Sequence, residues 1–261
     1  MSRYWLVFGL LLYSSLSWGN FYASPNRLML APTQNFQTLY IMNDSNKERV
    51  FVLSLRDYKM DQKGDLVLLP EAETFEFSAK DKIQFLPRAL RLKPNERGAV
   101  KIVRTRKDIR SGSYHVHLNI QRKNIVNLDY TEKSQKKSGY VVGIEYDVSI
   151  PIFVNYGKPN NQDIAITTKF IQEDALNYQM NIQIDNNTLF LDRLSFFLLE
   201  KNSKLEDDKV WTLEVAAYPE AKSFSFSKPI PKSSISGKSV LWLMVKNSKD
   251  KLVKYEKIQI N

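Results

Sequence analysis

The sequence predicts an exported, all-β protein built from two sandwich domains. After the first twenty residues, short segments of alternating apolar and polar residues are separated by polar turns along the whole chain, which is typical of strands. The length of 261 residues fits two sandwiches of about 100 residues each together with a leader. A hydrophobic content of 43% is sufficient to fill two cores.

The N-terminus has the features of a cleavable signal peptide. Arg3 supplies a positive charge, residues 4–12 are apolar, and the small residues Ser17 and Gly19 occupy the positions that a signal peptidase reads. The apolar stretch is shorter than the roughly 20 residues that span a bilayer. We therefore expect residues 1–19 to be removed, and we predict no membrane span in the mature chain.

Composition limits the chemistry of the chain. It contains no cysteine, which excludes a cysteine nucleophile, thiolate metal ligands and a disulfide framework. The formal net charge is +10, and loss of Arg3 with the leader lowers it by one. In an exported protein this charge favours an acidic protein or an anionic membrane surface over nucleic acid as partner.

The strand pattern divides at a polar linker. Residues 156–161 read Tyr-Gly-Lys-Pro-Asn-Asn, and we predict one domain at 20–157 and a second at 158–261. We expect no helix longer than two turns. The predicted strands of the first domain are 28–30, 38–42, 50–55, 66–69, 89–92, 99–103, 114–120 and 140–154. Those of the second domain are 164–170, 179–184, 194–199, 211–215, 239–245 and 253–260.

Catalysis has little support in the sequence. The two histidines, His115 and His117, stand two residues apart on one predicted strand, a spacing that can chelate a metal. No third ligand is placed near them by the sequence, however, and catalytic zinc sites use three protein ligands. We therefore expect a polar outer strand face, with no metal and no cofactor. Nucleophile-elbow, phosphate-loop and zincin motifs are absent, although a pair of carboxylates brought together by folding stays open.

Three stretches of the first domain resemble one protein family. The first is Asn-Arg-Leu-Met-Leu at 26–30, which leads through a strand into Asn-Asp-Ser at 43–45. The second is the proline-flanked strand 87–94 followed by 100–104, and the third is the strand 140–154. Together with the two-sandwich layout, they resemble the periplasmic chaperones of the chaperone–usher pilus pathway. The resemblance implies two immunoglobulin-like sandwiches in an L or boomerang arrangement.

In this family an arginine at the position of Arg27 lies in the cleft between the domains and binds the C-terminal carboxylate of the pilus subunit. A guanidinium suits that task because it is always charged and offers a planar fork to a carboxylate. The resemblance therefore implies Arg27 as the carboxylate anchor. The alternative is a surface arginine on an edge strand.

The last strand of the first domain is the subunit-binding element of the family. It completes the open sandwich of a pilus subunit with backbone hydrogen bonds and apolar side chains. The positions that match it here are Val142, Ile144, Tyr146 and Val148. The alternative is that this apolar face packs in its own core, which we expect of Ile150 and Ile152.

Two positions depart from the family pattern. A lysine that joins the arginine at the subunit carboxylate is replaced by Pro151, and a following arginine by Asn155. The carboxylate is then held by Arg27 alone or by an unidentified cation. These departures imply a divergent branch, close to the alternative or archaic pilus chaperones, or a relative that no longer handles pilins.

The resemblance implies a non-enzymatic periplasmic chaperone with two partners, a pilus subunit that has an incomplete immunoglobulin-like fold and an outer-membrane usher. Whether the free protein self-associates stays open. A secreted structural or adhesive surface protein built from the same sandwiches is the main alternative, and a secreted hydrolase ranks last.

Overall fold

The computed structural model describes residues 21–105, 109–123, 147–158, 164–172, 176–200, 208–235, 237 and 240–259. These residues form eighteen strands and one short helix. The strands of the first domain are β1 Tyr22–Ser24, β2 Leu28–Leu30, β3 Phe36–Met42, β4 Arg49–Arg56, β5 Tyr58–Met60, β6 Leu66–Leu68, β7 Ile83–Leu86, β8 Ala89–Leu92, β9 Arg97–Arg104, β10 Gly112–Lys123 and β11 Asp147–Tyr156. Those of the second are β12 Ile164–Gln172, β13 Asn177–Asn186, β14 Asp192–Leu199, β15 Lys209–Ala217, β16 Ser223–Pro231, β17 Val240–Lys246 and β18 Leu252–Gln259, with helix α1 at Lys232–Ile235.

The first sandwich has the topology of an immunoglobulin-like domain. One sheet has the order β1-β3-β9-β7 and the other β2-β11-β10-β4-β8. The N-terminal strand is divided between the sheets, so that β1 pairs antiparallel with β3 while β2 pairs parallel with β11. This arrangement corresponds to the ABED and CFG sheets of the immunoglobulin fold.

Alternation along these strands builds the first core. Leu39 and Ile41 of β3 are fully buried and face the inward side chains of the opposite sheet, which include Phe51, Val116 and Ile152. Burying each such side chain stabilises the fold by roughly 1.5–3 kcal/mol. Because a strand side chain points to the same face only at every second residue, a one-residue slip in register would expose this set.

The second sandwich packs a three-stranded sheet on a four-stranded sheet. The orders are β12-β13-β16 and β15-β14-β17-β18, and all pairs are antiparallel. Its core includes Ile182, Ile184, Phe196, Phe224 and Leu243. The two topologies confirm the predicted fold class of two immunoglobulin-like sandwiches.

Several strands escaped the sequence analysis. Three of them, β1, β5 and β7, have only three or four residues, a length at which alternation is a weak guide. The fourth, β16, contains Pro229 and Pro231, which lower the strand signal. Within the described residues β16 pairs on one side only, with β13, and an edge strand tolerates proline because one side of its backbone needs no ladder partner.

The prediction of a polar outer face on β10 is wrong at the two histidines, because both faces of this strand are buried there. His115 and His117 are 0% and 6% exposed. The ring of Tyr58 in β5 covers His117 with a centroid distance of 4.4 Å, and Tyr218 of the second domain covers His115 at 4.8 Å. The face that sequence periodicity assigns to solvent is therefore covered by a hairpin and a second domain.

Direct contacts join the two sandwiches along this covered face. Ser113 donates its backbone N–H to the carbonyl of Leu189 at 2.8 Å, and its hydroxyl oxygen accepts the backbone N–H of Leu191 at 2.9 Å. The carboxylate oxygen Oε1 of Glu220 lies 3.2 Å from His115 Nε2 and accepts the backbone N–H of Met60, also at 3.2 Å. Phe153 and Met60 of the first domain contribute to the second core.

The connection between the sandwiches lies after β11. That strand ends at Tyr156 and β12 begins at Ile164, so the boundary predicted after Gly157 falls between them. The one helix among the described residues, α1, has four residues. None of the helices in the described part of the chain is long and apolar enough to cross a membrane.

Candidate functional site between the two sandwiches

Arg27 lies at the junction of the two domains. The parallel register pairs Leu28 with Ile152, which brings the preceding residues Arg27 and Pro151 side by side. The Arg27 side chain is half-buried, and its guanidinium carbon lies 5.4 Å from the centroid of the Phe153 ring. Since Phe153 packs in the core of the second sandwich, the arginine sits on an element shared by both domains.

The Arg27 guanidinium has no hydrogen-bond or ion-pair partner among the described residues. Burial raises the pKa of the nearby Tyr218 to about 12, and the positive charge of Arg27 acts to lower that pKa. Arg104, on the same side of the molecule, is different. Its guanidinium donates to the carbonyls of Gln34, Leu30, Ala31 and Asn155 at 2.7–3.2 Å. Arg104 is therefore committed to the scaffold, whereas Arg27 is available for an external anion.

Two adjoining cavities open around Arg27. The first has a volume of about 530 Å³ and is lined by residues of both domains, among them Met29, Asn155 and Phe190. The second has a volume of about 710 Å³ and lies beside Gln37 and Pro151. Three residues line both cavities: Arg27, Met29 and Arg193.

The first cavity is cationic. Four positive side chains line it: Arg27, Lys158, Arg193 and Lys249. The carboxylate in its wall, Asp192, is 1% exposed and accepts the backbone N–H groups of Arg193 and Ser248 through Oδ1 at 2.9 and 3.1 Å. An excess of positive charge in a half-enclosed cleft suits an anionic group such as a carboxylate.

The edge of β11 next to Arg27 is open. β10 pairs with β11 along its whole length, from Asp147 to Tyr156, whereas β2 pairs only with Ile152–Val154. Among the described residues, the segment before Ile152 thus has a strand neighbour on one side only. An unpaired strand edge offers backbone N–H and C=O groups to an incoming strand, and this edge runs directly to the side of Arg27.

The predicted subunit-binding residues fall on this strand and on the segment before it. Val142, Ile144 and Tyr146 lie outside the described residues. Val148 pairs with Ile120 and packs partly against the first core while staying half-exposed. Their role in binding stays a prediction. Ile150 and Ile152 are buried in the first core, which confirms the expectation for these two side chains.

The two positions that depart from the family pattern bring no cation to the cleft. Pro151 lines the second cavity and pairs across the sheet with His117. Asn155 lines the first cavity, and its side-chain oxygen accepts the Ser113 hydroxyl at 2.7 Å. A carboxylate bound here would therefore meet Arg27 alone or a cation from another element.

The histidine pair is occupied by protein groups. His115 contacts Glu220, and Nδ1 of His117 lies 3.0 Å from the hydroxyl of Ser149. Burial, with a smaller contribution from His115, lowers the pKa of His117 to about 4. Within the described residues there is no cluster of three or more histidine, aspartate or glutamate side chains that could hold a metal.

Comparison with known proteins finds similarity only among solved structures. No family model matches the sequence, and no curated protein is significantly similar to it. The YadV chaperone has 8% identity and a TM-score of 0.48, with 92% of this chain and 100% of that chain covered. The CsuC–CsuE chaperone–tip adhesion subunit pre-assembly complex, from archaic chaperone–usher Csu pili of Acinetobacter baumannii, has 15% identity and a TM-score of 0.47, covering 92% of this chain and 97% of that chain. The Salmonella enterica SafA pilin in complex with the SafB chaperone has 12% identity and a TM-score of 0.44, covering 92% and 96%. At these identities and TM-scores the similarity carries no argument about function, so the function of this chain has to follow from its own residues.

Proposed function

We propose that this protein is a periplasmic chaperone that binds pilus subunits by donor-strand complementation and delivers them to an outer-membrane usher. It acts without catalysis and without ATP. The observation that carries the proposal is the open edge of β11, which ends beside Arg27, a half-buried cation with no ion-pair partner among the described residues. A subunit strand that pairs with this edge would direct its terminal carboxylate to Arg27.

The binding energy would come from two sources. Backbone hydrogen bonds along the edge of β11 would fix the register of the subunit strand. Apolar side chains at Val142, Ile144, Tyr146 and Val148 would fill the groove of an incomplete sandwich, each contributing roughly 1.5–3 kcal/mol when fully buried. Arg27 would then fix the position of the strand along the edge. At the usher, the N-terminal strand of the next subunit would displace the chaperone strand.

Co-expression with candidate subunits tests this function. Tagged mature protein and an Arg27→Ala variant would be produced in the periplasm with small secreted proteins encoded beside it, and bound subunits quantified after affinity purification. Arg97→Ala is a matched control, since Arg97 is an exposed arginine that also stacks on an aromatic ring, that of Tyr40 at 3.5 Å. We expect a stoichiometric subunit with the unmodified protein and the control, and its loss with Arg27→Ala.

Other outcomes separate the parts of the proposal. A subunit retained by Arg27→Ala but lost by Ile144→Lys would keep the chaperone function and move the anchor elsewhere. Failure to bind any subunit would refute the chaperone function and favour the structural or adhesive surface protein. Size-exclusion chromatography of the free and loaded protein would show whether the open edge leads to self-association in the absence of a subunit.

A further inference from the structure

We propose that Arg193, on the second sandwich, is the second cation of the carboxylate site, so that a carboxylate is held between one guanidinium from each domain. This inference rests on the proposed function, because that function supplies the ligand, the terminal carboxylate of a subunit. It concerns the cation that the sequence leaves unassigned because Pro151 occupies the position next to Arg27.

The location of Arg193 supports this role. Arg193 is the second residue of β14 and lines both cavities together with Arg27. The second cavity is the one that Pro151 borders, and the described residues that line it include no lysine. Lys158 and Lys249 line only the first cavity, away from Pro151. Of the cations that the structure describes in the cleft, only Arg193 therefore reaches the position beside both Arg27 and Pro151.

The hydrogen-bonding state of Arg193 leaves donors for a ligand. One guanidinium nitrogen, Nη1, lies 3.2 Å from Oε2 of Glu214, and the two side chains are 49% and 63% exposed. Such an exposed ion pair contributes little to stability and is easily exchanged. A guanidinium has five N–H donors, and the remaining ones on Arg193 have no partner among the described residues. Glu214 orients the side chain without saturating it.

The backbone of Arg193 is held rigidly, which favours a preformed site. The buried carboxylate of Asp192 accepts the backbone N–H of Arg193 at 2.9 Å and that of Ser248 at 3.1 Å. β14 lies between β15 and β17 in the second sheet, and the neighbouring Leu194 is fully buried. A carboxylate between Arg27 and Arg193 would be attracted by a positive charge on each side, and it would bridge the two domains.

Acetate, with acetamide as the neutral control, is the probe for this site. The Nε–Hε signals of arginines in the mature protein would be followed by NMR during titration in about 150 mM NaCl, where long-range charge effects are screened beyond about 8 Å. We expect the signals of Arg27 and Arg193 to shift with one shared dissociation constant for acetate and not to shift with acetamide.

Variants separate the contribution of Arg193 from general charge. Arg193→Ala should weaken acetate binding at Arg27 by roughly three- to tenfold, the effect of losing one ordinary hydrogen bond, since the Arg193 side chain is half-exposed. Arg97→Ala removes the same charge from a position outside both cavities and should leave the dissociation constant within about twofold. Arg193→Lys should give an intermediate loss, because lysine keeps the charge without the planar fork. Arg193→Gln is the alternative if the alanine variant does not give native circular dichroism.

The results discriminate this inference from the proposed function. An unchanged dissociation constant in Arg193→Ala, or an Arg193 signal that does not move with acetate, would overturn the assignment of Arg193. If subunits are nevertheless captured in the co-expression test, the chaperone function stands with Arg27 as the anchor. Shared acetate binding without capture of any subunit would establish the two-arginine site and refute the chaperone function.

Discussion

Acidification should destabilise the first sandwich through His117. Burial lowers the pKa of this side chain from 6.5 to about 4, and the neighbouring His115 acts in the same direction, while Asp57 opposes the shift. Below pH 6.5 the unfolded chain takes up a proton at this position that the folded chain refuses until about pH 4. Stability is therefore lost as the pH falls through this interval.

The surroundings of His117 explain why a charge is unfavourable there. Nδ1 is near the Ser149 hydroxyl, the Tyr58 ring covers the imidazole, and Nε2 is buried with no hydrogen-bonding partner among the described residues. The nearby carboxylate of Asp57 is already ion-paired with Lys80 at 3.0 Å. Protonation would thus add a buried donor and a positive charge that the existing groups do not compensate.

The size of the effect follows from the two pKa values. For a group with an unfolded pKa of 6.5 and a folded pKa of about 4, the free energy of unfolding falls by about 1.5 kcal/mol between about pH 6.5 and about pH 5. Urea unfolding followed by circular dichroism at these two pH values measures this loss. The variant His117→Gln has no titrating ring and should lack this component.

Two results would refute the reasoning. One is an equal loss of stability over the same pH interval in the unmodified protein and in His117→Gln. The other is a His117 ring pKa near 6.5 in the folded protein, the ordinary value, measured from the pH dependence of its NMR signals. In either case the imidazole would be better solvated than its contacts indicate.

Three further predictions concern the junction of the domains. Glu220→Ala should lower the free energy of unfolding by about 2–4 kcal/mol, because it leaves the backbone N–H of Met60 and the buried imidazole of His115 without their acceptor. Glu220→Gln keeps an accepting oxygen and should retain most of the stability. Urea unfolding of the two variants measures the difference. Gly157→Ala should lower the melting temperature more than Gly237→Ala does. Both glycines have left-handed φ values, +73° and +77°, but the new Cβ would collide with a serine side chain at Gly157, whereas Gly237 has open space around it. Equal decreases in melting temperature would contradict this prediction. Arg27→Ala should change stability by no more than about 1 kcal/mol, since the substitution removes chiefly one cation–π interaction, and a larger decrease in urea unfolding would indicate a structural role.

Sequence periodicity predicted the layers of each sandwich but not what covers them. Val116, Leu118 and Ile120 of the predicted strand 114–120 lie in the first core, as alternation implies, because alternation records which face of a strand is apolar. It misjudged His115 and His117, because a polar face can be buried when other groups supply hydrogen bonds and ring contacts. One sequence feature could have indicated that this face is covered: the preceding hairpin and loop are rich in aromatic residues, including Tyr58 and Phe75, which pack on the two imidazoles.

Sequence reasoning has the same limit at the candidate site, because the residues that meet there are far apart in the chain. The resemblance suggested Arg27 as a carboxylate anchor, a role that stays a prediction, and it placed Pro151 where the family has a lysine. The position of Arg193 could not be inferred, because it depends on how β14 of the second sandwich faces β2 of the first. In the sequence Arg193 is one of 38 lysines and arginines, and its neighbours give no indication of a binding role.

The buried contacts around Glu220 connect the junction to the site. A buried polar pair such as His115 and Glu220 is weak support for stability, since the cost of removing polar groups from water offsets their attraction. Its directional contacts do fix how the two sandwiches meet, and that geometry decides whether the two arginines face the same cavity. Glu220→Ala should therefore weaken acetate binding although Glu220 lines neither cavity around Arg27, and Glu220→Gln, which keeps the accepting oxygen, should weaken it less. Equal acetate affinity in Glu220→Ala and the unmodified protein would mean that the apolar contacts of Phe153 and Met60 alone hold the domains in register.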